Sequence, residues 1–288
     1  MLRRLSKFWI IIVFLTLIVL SSAVGTIRQK HYETYENNNT THKPHVAICY
    51  WGLTTSTHLV YETHQQRVFD VLTNAGIDYD VFMHTWKIDK EMRWDDDTGT
   101  VIEVNRQPDE NTEDYRFLKP NKYHKDNQDE FLQSINFSDY FNQELYDKYG
   151  NSEHEWKPEL IRNHLCALES QKRVTQMCMD EGRHYDFVIY VRPDAEIKND
   201  FPVWIINDMK EGEIAIPNHG HWEGLNDKFA VVPYIDCWKY GKRIDEIVEY
   251  RRTQGKIQSE GYAKYIMNKY FTHVHFLDFA FDVRKNKP

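Results

Sequence analysis

Apolar residues in this chain come in short runs separated by longer polar stretches with helical spacing. HVAICYW (45–51), bounded by Pro44 and Gly52, predicts a strand. THLVYETHQQRVFDVLTNAG (57–76) places Val60, His64, Val68, Val71 and Leu72 near helical spacing, and Asn74 to Gly76 end it. IDYDVFMHTW (77–86) predicts a second strand, which completes a β-α-β unit with a right-handed crossover and parallel strands. Residues 87–155 break the pattern: they are dense in Asp, Glu, Asn and Lys, and predict a solvated insertion with one short helix around 127–149. Regular patterning returns with a helix over 157–185 that ends at Gly182, followed by strands at 186–191, 211–217 and 227–232. Helices at 235–252 and 259–270 flank the turn TQGKIQ, and a strand over 272–281 closes the series. This alternation predicts an α/β sandwich around a mostly parallel central sheet. Ligands of such sheets gather at the carboxyl ends of the strands.

The N-terminus reads differently. Arg3, Arg4 and Lys7 precede the uncharged run FWIIIVFLTLIVLSSAV (8–24). At helical rise it spans roughly 26 Å, the short end for a membrane helix. The basic flank puts the N-terminus in the cytoplasm. The organisation expected is a cytoplasmic tail (1–7), a transmembrane signal anchor (8–24), a polar stem (25–44) and a folded domain (45–288), lumenal or extracellular. A cleaved signal peptide is the alternative, with Ser21-Ser22-Ala23 as the cleavage site and secretion as the outcome. Asn38, Asn39 and Asn136 open glycosylation sequons.

Composition narrows the classes. The formal charge of −8 offers no basic stripe for nucleic acid. Cys49, Cys166, Cys178 and Cys237 form no CxxC pair, so zinc-ribbon spacing is absent. One or two disulfides and four buried thiols both fit.

Candidate chemistry sits where runs end. In CYWGLTTST (49–57), Gly52 permits a tight turn and the hydroxyls of Thr54, Thr55, Ser56 and Thr57 open a helix, which suits a phosphate or an ordinary N-cap. In MHTW (83–86), His84 could touch a nucleotide and Trp86 stack on a ring, or both could pack in the core. DFVIYVRPDAEI (186–197) ends a strand in charge. If the chain stays extended, Asp194 and Glu196 point the same way and make a hard-oxygen site for Mg²⁺ or Mn²⁺. Arg192 then points to the other side, toward a neighbouring acid or a diphosphate; a surface ion pair is the plain alternative. HGHWEGLNDKFAVV (219–232) offers His219 and His221, but neither they nor His273 and His275 have a third zinc ligand at supporting spacing. Asn226 and Asp227 could bind sugar hydroxyls beside a stacking Trp222, or simply form a turn. In QSEGYAKY (258–265), Ser259 reads as an N-cap and Glu260 as either a dipole partner or a general base.

Taken in order, VAICYWGLTTST, YDVFMHTW, YVRPDAEI, GLNDKFAVV, SEGYAKYIMNKY and FLDFAFDVRKNK resemble a poorly characterised group of glycosyltransferases with a Rossmann-like, GT-A-type nucleotide-sugar fold. The resemblance covers about 45–288, apart from the acidic insertion. A tail, one anchor, a stem and a lumenal domain is the usual plan of membrane glycosyltransferases. The resemblance implies a nucleotide-diphosphate sugar as donor and a glycan, protein or lipid hydroxyl as acceptor. Together with the residue reading above, it places Gly52, Thr54, Thr55, His84, Arg192 and Arg284 on the nucleotide as expectations, and Trp222 and Asn226 on acceptor or sugar. Asp227 or Glu260 would be the catalytic base, and Asp194 with Glu196 would hold Mn²⁺ or Mg²⁺. Asp194-Ala195-Glu196 departs from the D-x-D metal motif of such enzymes, and Thr55 stands where the group often has Arg; Arg284 could replace that contact. These departures motivate a second reading, a non-catalytic membrane-anchored glycoprotein using the fold as a binding or structural module. A metal-dependent phosphodiesterase has only the H-x-H pairs in its favour.

Overall fold

A computed structural model describes residues 43–54, 56–88, 90–95, 100–105, 114–152 and 154–284. The tail, anchor and most of the stem expected from the sequence, the sequons at Asn38 and Asn39, and Thr55 lie outside the described residues. Among the described residues no helix is long and apolar enough to cross a membrane.

Residues from Pro44 onward pack as one unit. The strands are β1 His45–Trp51, β2 Asp78–Lys87, β3 Lys90–Asp95, β4 Thr100–Asn105, β5 Lys122–Asn127, β6 Phe187–Val191, β7 Ala195–Ile197, β8 Glu213–Pro217, β9 Phe229–Pro233, β10 His273–Leu277 and β11 Phe281–Val283. The helices of eight residues or more, among the described residues, are α1 Thr57–His64, α2 Pro158–Met179, α3 Ile247–Gln254 and α4 Ser259–Tyr270. α1 runs on through a π turn and a further α turn to Asn74, where Gly76 at φ +75° ends it.

Seven strands form the central sheet in the order β10-β8-β9-β6-β1-β2-β5. All run parallel except β9, which is antiparallel to both neighbours. This is the α/β architecture with a mostly parallel sheet that the alternation predicts. Strand alternation divides the core. Val46, Ile48 and Tyr50 of β1 face one layer with Val68, Phe69 and Leu72, while Ala47, Cys49 and Trp51 face the other with Val174 and Cys178 of α2. A third cluster joins Trp86, Ile161, Leu165, Ile247, Tyr262 and Ile266. All four cysteines are buried free thiols, so the second of the two alternatives holds.

Two expectations are corrected. The segment 87–155 is not merely a solvated insertion with one helix. It carries the β3–β4 hairpin and two short helices, Gln128–Ser134 and Gln143–Tyr149, and its β5 extends the main sheet beside β2. The half-buried polar pattern of KYHKDN is that of an edge strand, which hydrophobicity alone does not reveal. The path from Arg192 to Glu196 is also not extended. The chain turns after β6, with the Ala195 amide donating to the Arg192 carbonyl at 3.3 Å, and then starts β7, which pairs with β11.

Candidate active site

The carboxyl ends of β1, β2, β5 and β6 lie on one edge of the sheet, joined there by the entry to the reversed β9. Gly52 leaves β1 at φ +99°, a conformation that favours glycine. Its amide donates to Ser170 Oγ at 2.9 Å, and that oxygen lies 2.8 Å from His84 Nδ1. His84 Nε2 meets Asp126 at 3.1 Å, and Asp126 also bonds Arg173 and His124. Burial outweighs the Asp126 carboxylate and lowers His84 to about 4. The ring is therefore neutral, donates to Asp126 from Nε2 and accepts at Nδ1. His84 is fully buried, so it holds Gly52 through Ser170 and presents no nitrogen to solvent. Trp86 is buried as well and donates from Nε1 to the Cys166 carbonyl at 2.9 Å. Thr54 is half-buried beside the turn. The Ser56 and Thr57 hydroxyls are buried at the start of α1 without a hydrogen-bond partner among the described residues.

The acids at the end of β6 are each held by the chain's own cations. Arg192 grips Asp194 with Nε at 2.8 Å and Nη2 at 2.5 Å, and its guanidinium lies 5.6 Å from the Trp51 ring centroid. Arg192 thus pairs with the acid two residues on, because the turn folds them together. Glu196 Oε2 takes Lys198 at 2.6 Å and Arg284 at 2.5 Å. These two cations hold its carboxyl at about 2. Arg284 thereby sits on the β7–β11 ribbon, where its amide also donates to the Asp194 carbonyl. Among the described residues no three His, Cys, Asp or Glu side chains gather as a metal-binding group. The pair proposed for Mn²⁺ or Mg²⁺ therefore does not fit a shared ion: the turn separates Asp194 from Glu196, and guanidinium or ammonium groups already neutralise both.

The richest cluster lies one strand over. Asp227 and Glu260 are buried, and Lys228 joins them, with Nζ 2.6 Å from Asp227 Oδ1 and 3.0 Å from Glu260 Oε1. Burial raises the Asp227 carboxyl, but Lys228, His164 and Arg243 together win and leave it below its usual value. Burial likewise lowers Lys228, but the two carboxylates outweigh it and raise the ammonium. Glu260 Oε2 also accepts from Ser259 Oγ at 2.6 Å and from Gln258. Gln258, not Ser259, caps α4: its side chain accepts from the Gly261 amide. Arg243, almost wholly buried, reaches the Asp227 carbonyl and Gln171. His164 is buried with Nε2 unpartnered among the described residues, and burial lowers it to about 4.

The loop before β9 is fixed to this cluster. The Leu225 amide donates to the Glu260 carbonyl at 3.0 Å, and a Cβ on Gly224 would fall 1.9 Å from that same oxygen, so only glycine allows the approach. Asn226 spends its side chain on the loop, donating to the His219 carbonyl and accepting from the Lys228 amide, both at 2.9 Å. Trp222 is 83% exposed at φ +43°, an uncommon conformation for a residue with a Cβ. Of the residues singled out from sequence, the fold gathers Gly52, Arg192, Asp194, Asn226, Asp227 and Glu260 at this edge. His84 lies behind it, and Glu196 and Arg284 lie on the ribbon. Sequence reasoning missed Lys228, Ser170, His164 and Arg243. Lys228 adjoins Asp227 and was open to notice, whereas the others arrive from distant segments.

No family model matches the chain, and no curated protein matches it. Solved structures do. Mouse xyloside xylosyltransferase 1 in its apo form is similar at 8% identity with a TM-score of 0.40, over 82% of this chain and 85% of that one. The apo structure of the bifunctional glycosyltransferase WbbM is similar at 13% identity with a TM-score of 0.37, over 84% of this chain but only 40% of that one. Both TM-scores lie below 0.5, so neither likeness decides the fold or activity of this chain.

Proposed function

We propose that the protein is a GT-A-type glycosyltransferase that moves a sugar from a nucleoside diphosphate sugar to a hydroxyl acceptor. In this reading it is anchored by residues 8–24, with its catalytic domain lumenal or extracellular. The observation that carries the reading is the joining of two buried carboxylates, Asp227 and Glu260, by Lys228 at the ligand-bearing edge of the sheet. The ordered motifs described above support it.

In the transfer, the bond from sugar C1 to the diphosphate oxygen breaks and its electron pair leaves with the nucleoside diphosphate. The acceptor oxygen forms the new bond to C1. The acceptor proton goes to Glu260 or Asp227 in an inverting reaction, or to the departing phosphate in a retaining one. Asp227, held below its usual value, is better suited to orient the acceptor hydroxyl than to take its proton. Gly52 and the start of α1 offer backbone and hydroxyl donors to phosphate. Trp222 offers its exposed face to a sugar ring of the acceptor.

A thermal-shift screen of the full-length protein against UDP-, GDP- and CMP-sugars tests this. At least one UDP- or GDP-sugar should raise the midpoint, as any ligand selective for the folded state does. A flat response across the panel would favour the non-catalytic binding module instead.

A further inference from the structure

Departure of a nucleoside diphosphate needs positive charge at the phosphates. The two acids expected to bring that charge through a divalent ion are already engaged. Asp194 gives both oxygens to Arg192, and Glu196 serves Lys198 and Arg284 on the ribbon. A hard cation entering at Asp194 would have to displace a bidentate, charge-assisted pair, and among the described residues no three metal-ligating side chains gather there.

The same edge presents cations of its own. In the antiparallel β6–β9 register Val191 faces Phe229, so the next residues outward, Arg192 and Lys228, leave the sheet side by side. In the parallel β1–β6 register Tyr50 faces Val191, which brings Trp51 level with Arg192. Tyr190 and Ala230, two residues inward from the two cations, belong to the same core layer as Trp51, so alternation puts Trp51, Arg192 and Lys228 on one face. The guanidinium rests against the indole and is oriented by Asp194, while the ammonium is oriented by Asp227 and Glu260. Both cations are thus held in place by carboxylates before any ligand arrives, which removes the cost of ordering them on binding, and a diphosphate would compete with Asp194, Asp227 and Glu260 for their charge.

On the transferase reading, we infer that Arg192 and Lys228 neutralise the leaving diphosphate in place of a divalent metal. Asp194 is then a positioning residue for Arg192, and Glu196 belongs to the ribbon.

Isothermal titration of the full-length protein with UDP, GDP and inorganic pyrophosphate, in excess EDTA and again in excess Mn²⁺, tests this. Binding should occur in EDTA and should change by less than about threefold on adding Mn²⁺. Arg192→Met and Lys228→Met should each weaken it by about tenfold or more in both media, the loss of one charge-assisted bond. Arg192→Lys should recover part of the loss. Glu196→Gln, on the ribbon, should bind as the wild type does. Thermal midpoints taken alongside separate misfolding from lost contacts. Binding that appears only with Mn²⁺, or that disappears in Glu196→Gln, would overturn the inference while leaving the transferase reading in place. If neither nucleotide nor pyrophosphate binds in either medium, and no donor turns over, the transferase reading fails and takes this inference with it.

Discussion

Asp194 shows how a single side chain can be read two ways from its neighbours in sequence. An acid at the end of a strand, two residues before another acid, looks like half of a metal site. The turn at Arg192–Ala195 instead brings the acid back onto Arg192, and only 8% of the Asp194 side chain remains exposed. Removing its charge leaves a half-buried guanidinium without its bidentate partner. Asp194→Asn should therefore cost about 2 kcal/mol in a denaturant titration. An unchanged midpoint would mean that the pair contributes little to the fold and that Asp194 is free to serve a ligand. Lys228 teaches the complementary lesson. Taken alone in sequence it is one more surface lysine, yet it lies between two buried acids and raises their importance with its own.

Most elements were legible because each carried its period. β1 runs over the predicted residues, α4 spans the predicted 259–270, and β6, β8 and β9 fall within about two residues of their predicted bounds. What stayed hidden depended on partners far away in sequence. β5 is polar and half-exposed, so nothing local marks it as a strand; its pairing with β2 does. The Gly52 turn was visible, but the latch that holds it was not, because Ser170 lies 118 residues away on α2. That latch joins three elements through one hydroxyl. Ser170→Ala would leave the buried Gly52 amide and His84 Nδ1 without their partner. A loss of about 2 kcal/mol is expected. Hydrogen exchange at Gly52 should speed up by more than at β9; equal change at both sites would mean that the latch does not hold the turn. The candidate site divides in the same way: Asp227 and Glu260 were legible as acids beside turns, while their joining required the fold.

Across the molecule, His64, His84 and His164 are all lowered by burial to about 4. Between that value and the ordinary 6.5 the unfolded chain binds protons that the folded chain refuses, so stability rises with pH in this window. It is complete above about 6.5 and falls on acidification by roughly 1 kcal/mol per pH unit for each ring, levelling off below about 4. Thermal midpoints between pH 7 and pH 4 should show this slope, and His64→Gln should make it shallower; an identical slope in that variant would show that His64 is not buried neutral. The same whole-molecule arrangement, six parallel strands and one reversed strand delivering their ends to one edge, is what brings the scattered residues of the candidate site together. The most direct test is release of nucleoside diphosphate from UDP-, GDP- and CMP-sugar donors (nucleoside monophosphate for the last) by the full-length protein, measured beside Lys228→Met. Release from at least one UDP- or GDP-sugar by the wild type is expected, and about a hundredfold less from a folded Lys228→Met. No release from any donor, or equal release by both proteins, would contradict the account.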